Sequence, residues 1–123
     1  EVVKTVPNLV VTAGKNYVAS RMKDTTKSAM SHMEIGTSTS APAAGNTVLG
    51  SAAHRQALTS TTVSNNVVTY VASFAAGNGT GAITEAGLFN AASGGDMLCR
   101  TTFSVVNKGS QDSMTITWEV TVS

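Results

Sequence analysis

Few residues able to carry chemistry stand at spacings that would let them cooperate. His32 and His54 are the only histidines, 22 residues apart. His32 lies two positions before Glu34, and on a strand that spacing puts both side chains on one face. A metal site uses such pairs, but no Cys or His cluster completes a ligand set, and a half-exposed polar strand face accounts for the pair equally well. Cys99, the single cysteine, lies between Leu98 and Arg100 with no base at a matching spacing. It reads as a buried, inert thiol rather than a nucleophile, and it excludes an internal disulfide framework. Gly77, Gly79 and Gly81 resemble a phosphate loop superficially, but a dinucleotide fingerprint needs a helix after the glycines, and a strand is expected there. Gly14-Lys15-Asn16 falls within a predicted helix and lacks the hydroxyl of a phosphate loop. Asn78-Gly79-Thr80 matches a glycosylation triplet without an accompanying secretion signal.

The carboxylates Asp24, Glu34, Glu85, Asp96, Asp112 and Glu119 are scattered, and no pair has a spacing that implies acid–base work. Glu85 differs from the others because it interrupts an apolar stretch, Ala82-Ile83-Thr84-Glu85-Ala86-Gly87-Leu88-Phe89. A buried carboxylate requires a partner, and Arg55 and Arg100 are the cations near predicted strands. A structural ion pair that pins strand register or a subunit contact is therefore expected from Glu85 with Arg55 or Arg100. The sequence predicts no catalytic, cofactor-binding or metal-binding residue, and no enzyme.

These residues are carried by a β-rich chain. Residues 1–7 end in Pro7 and read as an N-terminal arm or edge strand. Asn8 offers a helix-start acceptor, and Leu9, Ala13 and Tyr17, with Val10, Val18 and Met22 beside them, recur at four-residue steps. Lys15, Arg21 and Lys23 suit the later turns of a helix. The spacing predicts a helix over 9–23, with Gly14 marking a close neighbour. A short strand is expected over 31–36, a loop over 37–46 and a weak helical turn over 47–54. Strands follow over 55–63 and 67–75 around the turn residues Ser64-Asn65-Asn66. A hairpin is expected from 82–89 and 97–103, and a polar connection over 104–113. In the last strand Met114, Ile116, Trp118, Val120 and Val122 form one face, and Thr115, Thr117, Glu119 and Thr121 the other. The pattern predicts a mainly β fold, an antiparallel β-sandwich with one N-terminal α-helix, in a single domain over 8–123 preceded by the 1–7 arm.

Composition narrows the function classes. The chain has 123 residues, enough for one domain, and 41% of them are apolar. Only 12% are charged, and eight Lys+Arg against seven Asp+Glu leave +1. That balance argues against nucleic-acid and polybasic membrane partners, and no 20-residue apolar span is present. Ser and Thr make up about a quarter of the chain, and Thr suits the outward face of alternating strands. With one cysteine and no basic region followed by an apolar stretch, the expectation is synthesis in a reducing cytosol.

The order of residue strings carries further. It runs Leu9-Val10-Val11-Thr12-Ala13-Gly14-Lys15-Asn16, Ser31-His32-Met33-Glu34-Ile35-Gly36-Thr37, and Ala41-Pro42-Ala43-Ala44-Gly45-Asn46-Thr47 with Leu49, then Arg55. Thr84-Glu85-Ala86-Gly87-Leu88-Phe89-Asn90 and Gly95 with Met97-Leu98-Cys99-Arg100 follow. This order resembles small tailed-bacteriophage virion structural proteins, most closely those related to the N-terminal, particle-attaching domain of phage tail-collar fibre proteins. The resemblance implies a non-enzymatic virion component made in the host bacterial cytoplasm, either a tail or fibre-attachment part or a capsid decoration (cement) protein. Its partners would be further copies of itself, a homo-oligomer such as a trimer or ring, and other virion proteins of the capsid or tail. Docking is expected through strand edges, through the arm at Val2, Val3 and Val6, and through the loop at Pro42, Val48 and Leu49. Truncating residues 1–7 is expected to reduce particle binding while leaving the fold intact. The alternative is a carbohydrate-binding β-sandwich, which would need exposed aromatic rings, whereas Tyr70, Phe74 and Trp118 are assigned to strand faces that form core.

Overall fold

The computed structural model describes the backbone of residues 2–6 and, in full, residues 9–23 and 27–122. The elements run β1 (Val2–Val6), β2 (Leu9–Val10), α1 (Thr12–Lys23), β3 (His32–Gly36), β4 (Ala52–Ala57), β5 (Ser60–Ser64), β6 (Val67–Phe74), β7 (Gly81–Phe89), β8 (Met97–Lys108) and β9 (Met114–Thr121). They form a four-stranded sheet, in the order β1-β9-β6-β5, and a five-stranded sheet, in the order β2-β8-β7-β3-β4. Every pairing is antiparallel except β1 with β9, which is parallel. The two sheets make the β-sandwich expected from the alternating patterns, with one short helix.

Strand alternation builds the core. On the first sheet Tyr70, Ala72 and Phe74 of β6 and Met114, Ile116, Trp118 and Val120 of β9 point inward and are buried. The second sheet answers with Met33, Ile35, Ile83, Ala86, Leu88 and Cys99. Each large apolar side chain so buried contributes about 1.5–3 kcal/mol. The tight turn between β5 and β6 places Asn65 at φ 54°, a left-handed conformation that asparagine tolerates. The glycine-rich stretch holds Gly77, Gly79 and Gly81 at positive φ and is followed by a strand, β7, so no phosphate loop is built there.

Five sequence expectations need correction. The helix begins at Thr12, because Leu9 and Val10 pair with Arg100 and Cys99 of β8. Val11 supplies the carbonyl that accepts the Lys15 N–H, and the Thr12 N–H donates to the Ala44 carbonyl; the expected cap, Asn8, lies outside the described residues. No helical turn forms over 47–54, because the N–H groups of Gly50 and Ser51 donate to the Glu85 carboxylate instead. The strand expected over 55–63 breaks at residues 58–59. There the Leu58 N–H donates to Ser31 and the Thr59 N–H to Val71, partners beside opposite sheets. The strand expected to end at 103 runs on to Lys108, whose Nζ is buried and donates to the carbonyls of Ala75 and Asp112 at 2.8 and 2.7 Å. Val122 lies past the end of β9 and is exposed, its N–H donating to the Asn66 carbonyl.

The break after β4 has an architectural meaning. β4 is the outer strand of the second sheet and β5 of the first, so two residues carry the chain across one side of the sandwich. At the other end of each strand order, β1 is the outer strand of the first sheet and β2 of the second. The helix seats directly on β8: a Cβ on Gly14 would fall on the Leu98 carbonyl, so only glycine permits this approach. Tyr17 points into the core and donates its hydroxyl to the Ser28 carbonyl at 2.7 Å.

Candidate functional site

The bulge near Ile83 in the β7–β8 ladder turns Glu85, Gly87 and Phe89 toward the outer face of the second sheet. Arg100 lies on the same face, opposite Gly87. Its Nη2 stands 3.0 Å from Glu85 Oε1 and its Nε donates to the same oxygen at 3.1 Å. Both side chains are buried. The carboxylate also accepts the backbone N–H groups of Ser38, Gly50 and Ser51 at 3.0, 2.9 and 2.7 Å. Burial opposes ionisation of Glu85, and these three N–H groups with Arg100 outweigh it and hold the carboxyl below its ordinary range.

What Glu85 holds is the segment 37–51. This strap crosses the outer face of the second sheet and is tied along its length. Thr84 Oγ1 donates to the Ser38 carbonyl, and Arg100 donates to the Ser40 carbonyl and to Asn46 Oδ1. Gly36 permits the closure, since a Cβ there would collide with the Ser51 carbonyl and the Glu85 carboxylate. Beneath the strap Leu49 joins Val11, Phe89 and Met97 in a second apolar cluster. The expectation that this loop presents Leu49 outward is therefore corrected: Leu49 is 5% exposed and belongs to the chain's own interior. Pro42 is half-buried, and Val48 is 62% exposed. Val2, Val3 and Val6 lie in β1, paired with Met114, Thr115 and Trp118 of β9, and their side chains are outside the described residues.

Of the two arginines expected to answer Glu85, Arg100 does so and Arg55 does not. Arg55 pairs with Glu34 at 3.2 Å across the β3–β4 ladder. Its guanidinium lies over the Phe89 ring at 3.7 Å and donates to the carbonyls of Ala91 and Gly94. Glu34, read beside His32 as a conceivable ligand pair, is thus occupied by an arginine, and among the described residues no group of three His, Cys, Asp or Glu could hold a metal. His32 Nδ1 meets Ser31 Oγ, and His54 Nε2 meets Gln56 Oε1. Cys99 is fully buried, and burial pushes its thiol up, away from the reactive thiolate.

Sequence reasoning missed two surface features. The first is a groove of about 440 Å³ between α1 and the inward face of the first sheet. Val68, Tyr70 and Val120 line it on the sheet side, Tyr17 and Val18 on the helix side, and Val122 lies at its rim. Burial pushes the Tyr70 hydroxyl up to about 12, so the groove offers no charge from that side. The second is β5, whose residues are exposed on both faces. Strand periodicity signals neither, because it assigns faces without showing where the opposite sheet stops. The aromatic residues, by contrast, lie where the alternation put them: Tyr70, Phe74 and Trp118 are buried and provide no stacking platform for a sugar.

Compared with known protein families and with curated proteins, the chain matches none.

Proposed function

We propose that this chain is a non-enzymatic bacteriophage virion structural protein that docks on the particle through subunit contacts, as a tail or fibre-attachment component or as a capsid decoration protein. The observation that carries the docking part of this reading is β5, an uncharged strand exposed on both faces at the edge of a sheet. A stable soluble monomer ordinarily blunts such an edge, whereas a subunit leaves it for a neighbour. The particle itself comes from the order of residue strings described above. Four ionisable groups on the second sheet, Glu85 with Arg100 and Glu34 with Arg55, are held in structural pairs, which accords with this reading. A net charge of +1 on a Ser/Thr-rich surface makes desolvation against identical copies inexpensive in free energy.

The test is direct localisation. Antibodies raised against the purified chain, applied to purified phage particles encoding it, should label fixed positions by electron microscopy, and mass spectrometry of the same particles should detect the chain at a constant ratio to the major capsid protein. Particles that lack the chain entirely would overturn the proposal. Because Val2–Val6 forms a strand of the first sheet, the arm truncation is best replaced by point substitutions at exposed Val48, which leave that sheet intact.

A further inference from the structure

The edges of the two sheets are not equivalent. β2 is two residues long, β4 carries Arg55 and a register shift against β3, and β1 carries Lys4. Short length, irregular register and charge are the devices that keep sheet edges from pairing. β5 has none of them. Its sequence, Ser60-Thr61-Thr62-Val63-Ser64, contains no charge and no proline, and its register with β6 is regular over all five pairs. The flanking Thr59, Asn65 and Asn66 are uncharged as well. Val63 is 69% exposed although it continues an inward-facing row through its register partners Val68 and Val120.

We infer that β5 pairs antiparallel with β5 of a second copy across a two-fold axis at Thr62, joining the two four-stranded sheets edge to edge. A two-fold contact brings each residue against a residue of the same strand, so any charge on β5 would meet its own kind or demand a counter-charge within five residues. The strand satisfies that condition by carrying none. The register sets Thr62 opposite Thr62, Thr61 opposite Val63 and Ser60 opposite Ser64 of the second copy. Thr and Val are β-branched, and such cross-strand pairs stabilise a ladder. A charged foreign strand would find no counter-charge at this edge. A five-residue edge buries less than the roughly 800 Å² per partner of a stable interface, so the contact is weak in dilute solution and forms where copies are concentrated, as on a particle. The inference deepens the assembly reading by naming one self-contact, and it is tested on the isolated chain.

Thr62→Cys reads the axis. Antiparallel neighbours bring their Cα atoms to within about 4.5–5.5 Å, inside disulfide range, and Cys99 is buried and does not compete. Under mild oxidation the variant should form a covalent dimer on the order of tenfold faster than Ser110→Cys, an exposed position in the turn between β8 and β9. Two double variants read the register. S60K/S64K opposes like charges and should weaken association by about tenfold in sedimentation velocity at low salt, whereas S60K/S64E opposes unlike charges and should retain it. All of these positions are exposed, and circular dichroism checks the fold. Equal behaviour of the two double variants, or T62C cross-linking no faster than S110C, would overturn the inference. Particle labelling is a separate readout: a chain found on particles but monomeric at every concentration sinks the self-contact alone, and a self-pairing chain absent from particles sinks the virion reading alone.

Discussion

Glu85 illustrates how one side chain organises fifteen residues of irregular backbone. Replacing it by Gln keeps the shape but leaves the Arg100 guanidinium buried without its counter-charge, and breaking a buried pair in this way costs about 3–5 kcal/mol. We expect E85Q to lower the urea midpoint accordingly, and to raise amide exchange at Ser38, Gly50 and Ser51 first. The pH dependence follows from the direction of the shift. The folded-state pKa lies below the ordinary value of 4.5, so the stabilisation is fully present above pH 4.5 and is lost as pH falls through the lower folded value. The wild type should lose stability in that acid window and E85Q should lose less of it, so that the two urea midpoints converge on acidification. Parallel curves would show that Glu85 is not the group responsible. That Glu85 needs a partner was legible from a carboxylate inside an apolar run. The choice between Arg55 and Arg100 was not, because alternation gives a face but not the register that sets Arg55 beside Glu34 and Arg100 beside Gly87.

Among the elements, the readable ones were those whose burial alternates. β9 and β6 have one inward and one outward face, and their residues declare it. β7 has core on one side and the strap on the other, so it reads as an almost continuous apolar run, and only Glu85 betrays the second layer. The far half of β8 escaped notice because Ser104-Val105-Val106-Asn107 does not alternate, and the start of α1 because Leu9 and Ala13 happen to lie four residues apart. Gly14, a glycine inside a helical pattern, does mark a near neighbour, the Leu98 backbone. Ala at an exposed helix interior would normally gain about 1 kcal/mol over Gly, yet here its Cβ meets the Leu98 carbonyl. G14A should therefore lower the melting temperature, whereas G45A, where an added Cβ meets nothing, should leave it nearly unchanged. A stabilised G14A would mean that α1 can lift from β8 without cost.

At the scale of the whole molecule, the sandwich was evident from the number of alternating strands, but its closure was not. Pattern reading cannot distinguish one long strand over 55–63 from two short strands in different sheets, since both are extended and only the hydrogen-bond partners of Leu58 and Thr59 separate them. The parallel pairing of β1 with β9 was equally invisible, because it joins the two ends of the sequence through a register that runs from Val2 with Met114 to Val6 with Trp118. That pairing has a mechanical consequence. Pulling the N-terminal and C-terminal ends apart draws β1 and β9 in opposite directions along their own axes. The ladder between them is then loaded in shear, all its bonds together, rather than peeled one bond at a time. In single-molecule stretching, end-to-end traction should meet a high and abrupt rupture force, while force applied between residues 64 and 123 should open the β6–β9 side at lower load. Under the attachment role proposed above, β1 and β9 would act as the clamp that carries such a load.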